Sequence, residues 1–321
     1  MEISLKQLKH VLALARYRHY GQAAESLGIS QPALSRSVIA LEKRLGLPVF
    51  ERSRAGVALT DAGRLLLRHA RDVRARTAEL QADLDELSGR GLHKLSVVCG
   101  HYPAALTIGP ALSRLMRERP EAQISMEVAD WGRGLQLLEE GACDLAIVEL
   151  SAVDDDGGLK QELLNDQQVF AVVRPGHPLT ARPHPTLDEL LSYPWACSLI
   201  PSRAAQHLGP GPLAAGDFDE QTGAFIPKIV ASSLATSLAL VRDTDIVGIA
   251  PLSVAEPWLE SARLELVRYS AGWMRLNYGF LWKAETPLTP VTRTFMDRVR
   301  DAEARERDHA AGLRARYGLE T

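Results

Sequence analysis

The feature that most constrains this fold is a tight turn between two helical segments near the N-terminus. Residues 22–27 predict a short helix, Gly28 supplies the positive φ that ends it, and Ser30 caps a second helix beginning at Gln31. Apolar residues in that second helix recur at spacings of four, three and four, which indicates one core-facing side. These residues are Leu34, Val38, Leu41 and Leu45. Two helices joined by so short a turn predict a helix-turn-helix.

The other side of the second helix is polar at its N-terminal end. Gln31, Ser35 and Arg36 carry side chains that bond base edges and phosphates in a major groove. For any one of them alone, a solvated surface residue is the better explanation, and their clustering at one helix end is what favours DNA contact. Pro32, in the first turn, stiffens the helix start without removing a hydrogen bond.

A basic turn and a long helix follow. Short strands near 49–52 and 57–59 predict a wing, with Arg52 and Arg54 at its tip in reach of phosphates or a narrow minor groove. Thr60 caps a proline-free helix running to about Ser88, in which a coiled-coil seam repeats every four and three residues. The seam positions are Leu66, Ala70, Val73, Thr77, Leu80, Leu84 and Leu87. One helix cannot bury this seam alone, so we predict a dimer with two DNA-reading heads.

Charge is divided unevenly along the chain of 321 residues. Residues 1–68 hold 11 Lys and Arg against five Asp and Glu, a net charge of +6. Since the whole chain has a net charge of −3, the remaining residues carry −9. This split is typical of a basic module that meets a polyanion, attached to an acidic body. No apolar run approaches the roughly 20 residues of a membrane span and no signal peptide is evident, so we expect a cytoplasmic protein without a membrane partner.

After a glycine-containing hinge at residues 88–94, the pattern changes to short β-branched runs alternating with helices, which indicates α/β organisation. Strands are predicted near 95–99, 123–128, 144–149, 168–174, 195–199, 226–230, 246–250 and 276–282, and helices near 104–118, 133–139, 186–192, 232–241 and 289–314.

The segment AAESLGISQPALSRSVIALEKRLGLPVFERSRAGVALTDAG resembles the DNA-binding signature of LysR-type transcriptional regulators. By this resemblance Gln31, Pro32, Ser35 and Arg36 lie on the recognition helix. Arg52 and Arg54 then lie in the wing, and Thr60 and Arg64 at the foot of the linker helix, where a helix N-terminus attracts phosphate. Gln22 and Ser30, at the starts of the two motif helices, complete the predicted DNA-contacting set.

The body is similar to the effector domain of the same family in LEEGACDLAIVEL, VVRPGHPL and LALVRDTDIVGIAPLSVAE. The resemblance implies a periplasmic-binding-protein-like fold with two subdomains around a cleft. The predicted domains are a winged helix-turn-helix at 1–60, a linker helix at 61–89 and an effector domain at 90–321. The subdomains are about 92–166 with 269–321, and about 167–268.

Loops that leave strands are the expected ligand positions in such a fold. One subdomain offers Gly100, His101 and Tyr102, together with Trp131 beside Asp130. The other offers a second set: Ser202, Arg203, Ser232 and Ser233. Hydroxyls at helix N-termini with a nearby arginine suit a carboxylate, so we expect a small organic anion as effector and no cofactor. Capping alone explains the two adjacent serines equally well, and ordinary packing explains the aromatic residues.

Two features of the body are unusual. Many family members place a small Ser or Thr just after the first strand, whereas this chain has GHY at residues 100–102, which narrows the cleft, stacks on an aromatic ligand or fills the site. The stretch 205–224 is rich in Gly and Pro and longer than typical loops, and is either a lid or a floppy insertion.

Other classes of protein fit less well. No nucleophile, metal or phosphate-binding motif appears, so we expect no catalytic residues, no metal and no enzymatic activity. A solute-binding transport protein would carry a secretion signal. A thiol-redox regulator using Cys99 and Cys197 stays open, although burial as small apolar residues explains these cysteines and Cys143 better. The expected partners are promoter DNA and further copies of the chain, as homodimer or homotetramer, with RNA polymerase left open.

Overall fold

The computed structural model describes residues 3–53, 56–87, 94–151, 153, 158–209 and 213–319. The chain divides into two units, Met1–Leu92 with Ala284–Thr289, and His93–Lys283 with Pro290–Thr321. Each unit has its own core. The predicted hinge at 88–94 lies outside the described residues except for Lys94.

The first unit is a small helical head with a two-stranded wing. Its elements are α1 (Leu5–Tyr17), α2 (Tyr20–Ser26), α3 (Gln31–Leu45), β1 (Phe50–Ser53), β2 (Gly56–Leu59) and α4 (Asp61–Leu87). Ser4 and Gln7 close a capping box at α1, and Ser30 accepts a hydrogen bond from the backbone N–H of Ala33 at α3. The short turn between α2 and α3 holds Gly28 at φ +65°, as its sequence predicts. Leu14, Leu34 and Val38 join the three helices in one buried cluster.

The start of α4 is fixed against the wing. The Thr60 hydroxyl accepts from the backbone N–H of Gly63 at 3.0 Å and donates to the carbonyl of Pro48 at 2.6 Å. A Cβ at Gly63 would lie 2.1 Å from the carbonyl oxygen of Val49, so only glycine permits this approach. Farther along α4, Ala70 is buried, whereas Val73, Leu80 and Leu84 are exposed in the single chain.

The second unit contains two five-stranded sheets. The strands of the first are β3 (Lys94–Cys99), β4 (Gln123–Val128), β5 (Leu145–Glu149), β6 (Leu159–Gln168) and β14 (Arg275–Lys283). Their order across the sheet is β4-β3-β5-β14-β6. Strand β3 is parallel to β4 and β5, and β14 is antiparallel to β5 and β6. The second sheet has the order β11-β8-β12-β7-β13. Its strands are β7 (Phe170–Val173), β8 (Trp195–Cys197), β11 (Ile229–Val230), β12 (Val247–Ala250) and β13 (Glu265–Leu266).

Helices cover both sheets. They are α5 (His101–Pro103), a π-helical turn (Ala104–Ile108), α6 (Gly109–Glu118), α7 (Trp131–Glu140), α8 (Leu187–Leu191), α9 (Ser202–Ala205), α10 (Leu234–Asp243), α11 (Leu252–Glu260) and α12 (Pro290–Arg316). A 3-10 turn spans Pro178–Ala181. Continuous apolar runs form the buried central strands, as expected for parallel pairing; in β5 the run is Leu145, Ala146, Ile147 and Val148.

Local predictions and structure differ at a few places. The segment predicted as one strand at 226–230 forms two, β10 (Phe225–Pro227) and β11, in different sheets. Within 205–224, β9 (Gly216–Phe218) pairs with β10 as a hairpin, so part of this stretch forms regular structure. Strand β6 and helix α11 are absent from the prediction, because β6 is a polar edge strand and α11 contains Pro257.

Candidate functional site

The outer side of α3 carries the residues predicted to contact DNA. Gln31, Pro32 and Arg36 are exposed, and Ser35 is half-buried between that surface and the core. Because Leu34, Val38 and Leu41 are fully buried on the other side, packing against the core decides which side of α3 faces solvent. Ser30 serves as the helix cap, and Gln22 is exposed on α2. Both helices of the motif therefore offer polar side chains to solvent.

Of the residues predicted to contact DNA from the wing and the linker helix, Arg64 and Thr60 are bonded within the chain. Arg64 donates to the carbonyl of Leu59 at 2.9 Å and pairs with Asp61, so its guanidinium is held at the foot of α4. Thr60 uses its hydroxyl as the helix cap. Arg54 and the side chain of Arg52 lie outside the described residues.

Glu42 is a residue of this face that sequence reasoning missed. Its carboxylate oxygen Oε1 accepts hydrogen bonds from the backbone N–H groups of Val49 at 2.8 Å and Phe50 at 3.0 Å. The bonds tie the C-terminal half of α3 to the start of the wing and so restrain the angle between these two elements. No spacing in the sequence pairs a helical glutamate with amides seven and eight residues later.

In the second unit, a small cavity lies beyond the ends of β3, β5 and β8. Four predicted effector residues line it: Gly100, His101, Tyr102 and Trp131. Asp130, predicted beside Trp131, also lines it, whereas other lining residues escaped the prediction, among them Glu149, Ser198, Leu276 and Tyr278. The cavity volume is about 60 Å³. Ligand pockets commonly hold roughly 300–1,000 Å³, so the space is nearly filled by protein.

Tyr102 lines this cavity and connects the two sheets beside it. Its hydroxyl donates to the carbonyl oxygen of Ile249 on β12 at 3.3 Å, so the side chain reaches from the first sheet to the second. Burial raises the pKa of the Tyr102 hydroxyl, which keeps it a neutral donor. The small volume agrees with two of the three outcomes expected for the GHY sequence, a narrowed cleft and a filled site.

His101 stands beside an acidic group. Burial lowers the pKa of the imidazole, and the nearby Asp130 carboxylate opposes that shift. Asp130 itself caps α7 by accepting from the backbone N–H of Arg133 at 2.9 Å. The cavity therefore places the His101 imidazole near an acidic side chain.

Arg203 does not line the cavity, because it is bound to Glu149. Its Nε and Nη2 donate to the two carboxylate oxygens at 3.1 and 3.2 Å, and Nη2 also donates to the carbonyl of Arg275 at 2.6 Å. Glu149 further accepts from the backbone N–H of Asn277 at 3.2 Å. The arginine expected to hold an anion is thus already paired within the chain.

The remaining predicted effector residues lie apart from the cavity. Ser202 and Ser232 are exposed, and Ser233 accepts from the backbone N–H of Thr236 as the cap of α10. None of the three belongs to the cavity lining. The capping explanation therefore accounts for Ser233.

Behind the cavity, Tyr278 connects to a buried carboxylate. Its hydroxyl lies 3.1 and 3.0 Å from the two oxygens of Glu303, which also accept from Thr107 and Asn165 at 2.7 Å. Burial raises the pKa of Glu303, and the hydrogen bonds partly offset this. Thr107 belongs to the π-helical turn, a feature often found near functional sites.

The three cysteines are buried thiols. Burial raises the pKa of Cys99 and of Cys197 to about 12, and that of Cys143 to about 11. Among the described residues, no cluster of three or more His, Cys, Asp or Glu is placed to hold a metal ion. No helix in the described part of the chain is long and apolar enough to cross a membrane.

A helix-turn-helix head joined to a two-sheet body with a cavity defines a DNA-binding, ligand-responsive regulator. Two family models match the chain: the bacterial regulatory helix-turn-helix protein, lysR family, over residues 5–64, and the LysR substrate binding domain over residues 88–304. The chain belongs to the LysR family of transcriptional regulators, as the resemblance predicted.

Individual relatives agree. The chain is 32% identical over 305 residues to the SDS degradation transcriptional activation protein of Pseudomonas sp. (strain ATCC 19151), which covers 94% of this chain and 97% of that protein. It is 27% identical over 307 residues to the regulator GbpR of Azospirillum brasilense, covering 94% and 86%. Among solved structures, full-length LysG of Corynebacterium glutamicum with bound effector arginine has a TM-score of 0.57 at 18% identity, covering 94% of this chain and 99% of that one. The last likeness confirms the predicted fold.

Proposed function

We propose that this LysR-type regulator couples a small organic effector, held in the cavity around Tyr102, to promoter binding through α3. The observation that carries the effector part is the meeting of four predicted residues, from the ends of β3 and the start of α7, in one cavity between two sheets. As a regulator of bacterial promoters, it would act in the cytoplasm. RNA polymerase stays a further partner to be tested.

Promoter contact is assigned to the polar end of α3 and its surroundings. Gln31, Ser35 and Arg36 would meet base edges, while the flanking residues would hold the backbone; these are Gln22, Ser30, Pro32, Arg52, Arg54, Thr60 and Arg64. A Ser35→Ala, Arg36→Ala chain should lose specific affinity at constant salt. If the double variant bound as tightly as wild type to a duplex that the wild-type chain selects from random sequence, the recognition-helix assignment would be wrong.

We propose dimerisation through α4. An apolar groove of about 370 Å³ runs between α1 and α4, lined by Leu5, Leu8, Leu12, Val73 and Thr77 among others. Its continuation along α4 exposes Leu80 and Leu84, of which 58% and 50% are accessible. The second copy of α4 is the occupant that the heptad spacing fits. Pairing of the effector domains would make the tetramer.

The dimer is tested by sedimentation of Leu80→Glu, Leu84→Glu chains, which should become monomers. Leu65→Glu is the matched control, since Leu65 is also 50% exposed but lies on a different side of α4. A dimer that survives the double substitution, or one that Leu65→Glu disrupts equally, would contradict this assignment.

For the effector we keep a small organic anion as the proposal and add a condition. Because Glu149 occupies Arg203, an anion reaches that guanidinium only by replacing the Glu149 carboxylate, and this exchange would free the two sheets to shift. The exchange offers a physical link between binding and conformation, since a ligand shifts an equilibrium only by binding one state better.

The test is a thermal-shift screen of the full chain against matched carboxylates and amines. A ligand at about a hundred times its dissociation constant should add roughly 2.7 kcal/mol. Carboxylate hits that disappear in Arg203→Gln but persist in Ser232→Ala support the anion. Amine hits that disappear in Asp130→Asn would overturn it, because the carboxylates of the cavity would then be the binding groups.

A further inference from the structure

Ile39 is an exposed large apolar side chain on α3, and neither packing in the core nor the predicted polar contacts explain it. Its exposed fraction is 57%, in a helix where Leu34, Val38 and Leu41 are buried to within 1% and Leu45 is partly buried. Isoleucine is a poorer helix former than lysine or arginine, and an exposed apolar group gains nothing from water. The position therefore forgoes stability that a charged residue would supply.

The place of Ile39 on the helix is specific. It follows Ser35 by four residues and Arg36 by three, and it precedes Lys43 by four, so all four side chains share the solvent-facing side of α3. Arg36 and Lys43 are exposed and basic, and they border Ile39 on this surface. An apolar side chain surrounded by cations suits a DNA groove, which is negatively charged at its walls and carries methyl groups on its floor.

A second copy of the chain does not account for this exposure. The apolar groove proposed for dimerisation is lined by α1 and α4, and Ile39 is absent from its lining. The Ile39 side of α3 points away from Leu34 and Val38, through which α3 packs on the head. A copy seated in the groove would leave Ile39 uncovered.

We infer that Ile39 contacts the C5-methyl group of a thymine in the major groove and contributes to operator specificity. This inference rests on the proposed docking of α3. The thymine methyl is the apolar feature of base edges in the major groove, and aliphatic side chains recognise it by contact. The β-branched side chain has few χ1 rotamers, so little rotamer freedom is lost on binding.

The experiment replaces thymine by uracil, which removes the methyl group alone. A duplex is first selected from random sequence with the full-length wild-type chain, and each thymine in it is then changed singly to uracil. The wild-type chain should lose affinity about fourfold at one thymine in each half-site, the factor corresponding to one buried methyl-sized group. Ile39→Ala should bind the thymine duplex more weakly and should not distinguish uracil at that position.

Leu47→Ala is the matched control, because Leu47 is also 57% exposed on the head but follows α3. It should keep the wild-type response to uracil. A wild-type chain that selects a duplex but shows the same uracil profile as Ile39→Ala overturns the thymine contact alone. A wild-type chain that selects no sequence refutes the proposed docking of α3 as well. Ile39→Ala introduces a better helix former, so loss of folding does not confuse the result.

Discussion

Arg203 and Glu149 form a bidentate ion pair between the two sheets of the effector unit, with N–O distances of 3.1 and 3.2 Å. Glu149 ends β5 in the first sheet, and Arg203 lies on α9, which follows β8 of the second. The Glu149 side chain is only 11% exposed and that of Arg203 27%, so water screens the pair weakly. This contact joins the two halves of the unit beside the cavity.

Removing the arginine should therefore destabilise the chain. Arg203→Gln leaves a largely buried carboxylate without its cation, and we expect a loss of about 1–3 kcal/mol, seen as a lower Tm. Arg182→Gln is the control: Arg182 pairs with Glu189 at 3.5 Å on an exposed surface, and its loss should be under about 0.5 kcal/mol. Equal Tm changes in the two variants would show that the Arg203 pair adds no stability.

Truncating Tyr102 should create a ligand-binding space. Tyr102→Ala removes the ring that narrows the cavity, and we expect a loss of roughly 3 kcal/mol together with a new affinity for phenol. Tyr102→Phe removes only the bond to Ile249 and should cost about 1 kcal/mol. Thermal shift with and without phenol checks both. If phenol raises the Tm of wild type as much as that of Tyr102→Ala, the tyrosine does not limit the cavity.

The buried Glu303 should make stability depend on pH. Because burial raises its pKa in the folded chain, the folded state binds the proton more tightly than the unfolded state does. Stability from this group is fully present below the ordinary carboxyl value of 4.5 and is lost as pH rises through the raised value. Glu303→Gln removes the titration, so its Tm should improve relative to wild type as pH rises from that region. Glu220→Gln, at an exposed position, is the control and should show the same dependence of Tm on pH as wild type. If Glu303→Gln also shows the wild-type dependence, Glu303 does not contribute to it.

The cysteines should be unreactive in the native chain. The thiolate is the reactive form, and at pH 8 a thiol with a pKa of about 12 has almost none. We expect no fast reaction with a disulfide reagent until urea exposes all three thiols, and no effect of peroxide on DNA affinity. A fast-reacting native thiol that disappears in Cys197→Ser would instead support the redox alternative.

Much of the fold follows from local chemistry. The capping box of Ser4 and Gln7, the positive φ of Gly28 and the cap at Ser30 each depend on residues within four positions, so they are predictable from sequence. Strand β6 is not predictable in this way. Its residues LKQELLNDQQ lack a regular apolar pattern, and pairing with β14, more than a hundred positions later, makes them a strand.

Sequence alone determined the helix-turn-helix, because caps, turn residues and apolar periodicity are local properties. The family and the fold of the body followed from the resemblance of whole segments to LysR-type regulators. The sequence also placed His101, Tyr102 and Trp131 at strand ends, where clefts form. Only tertiary structure decided that Arg203 is paired with Glu149 and that Tyr102 reaches Ile249. The partners in these contacts are 54 and 147 positions apart, and the energy of a charged or polar group depends on which distant group folding brings beside it.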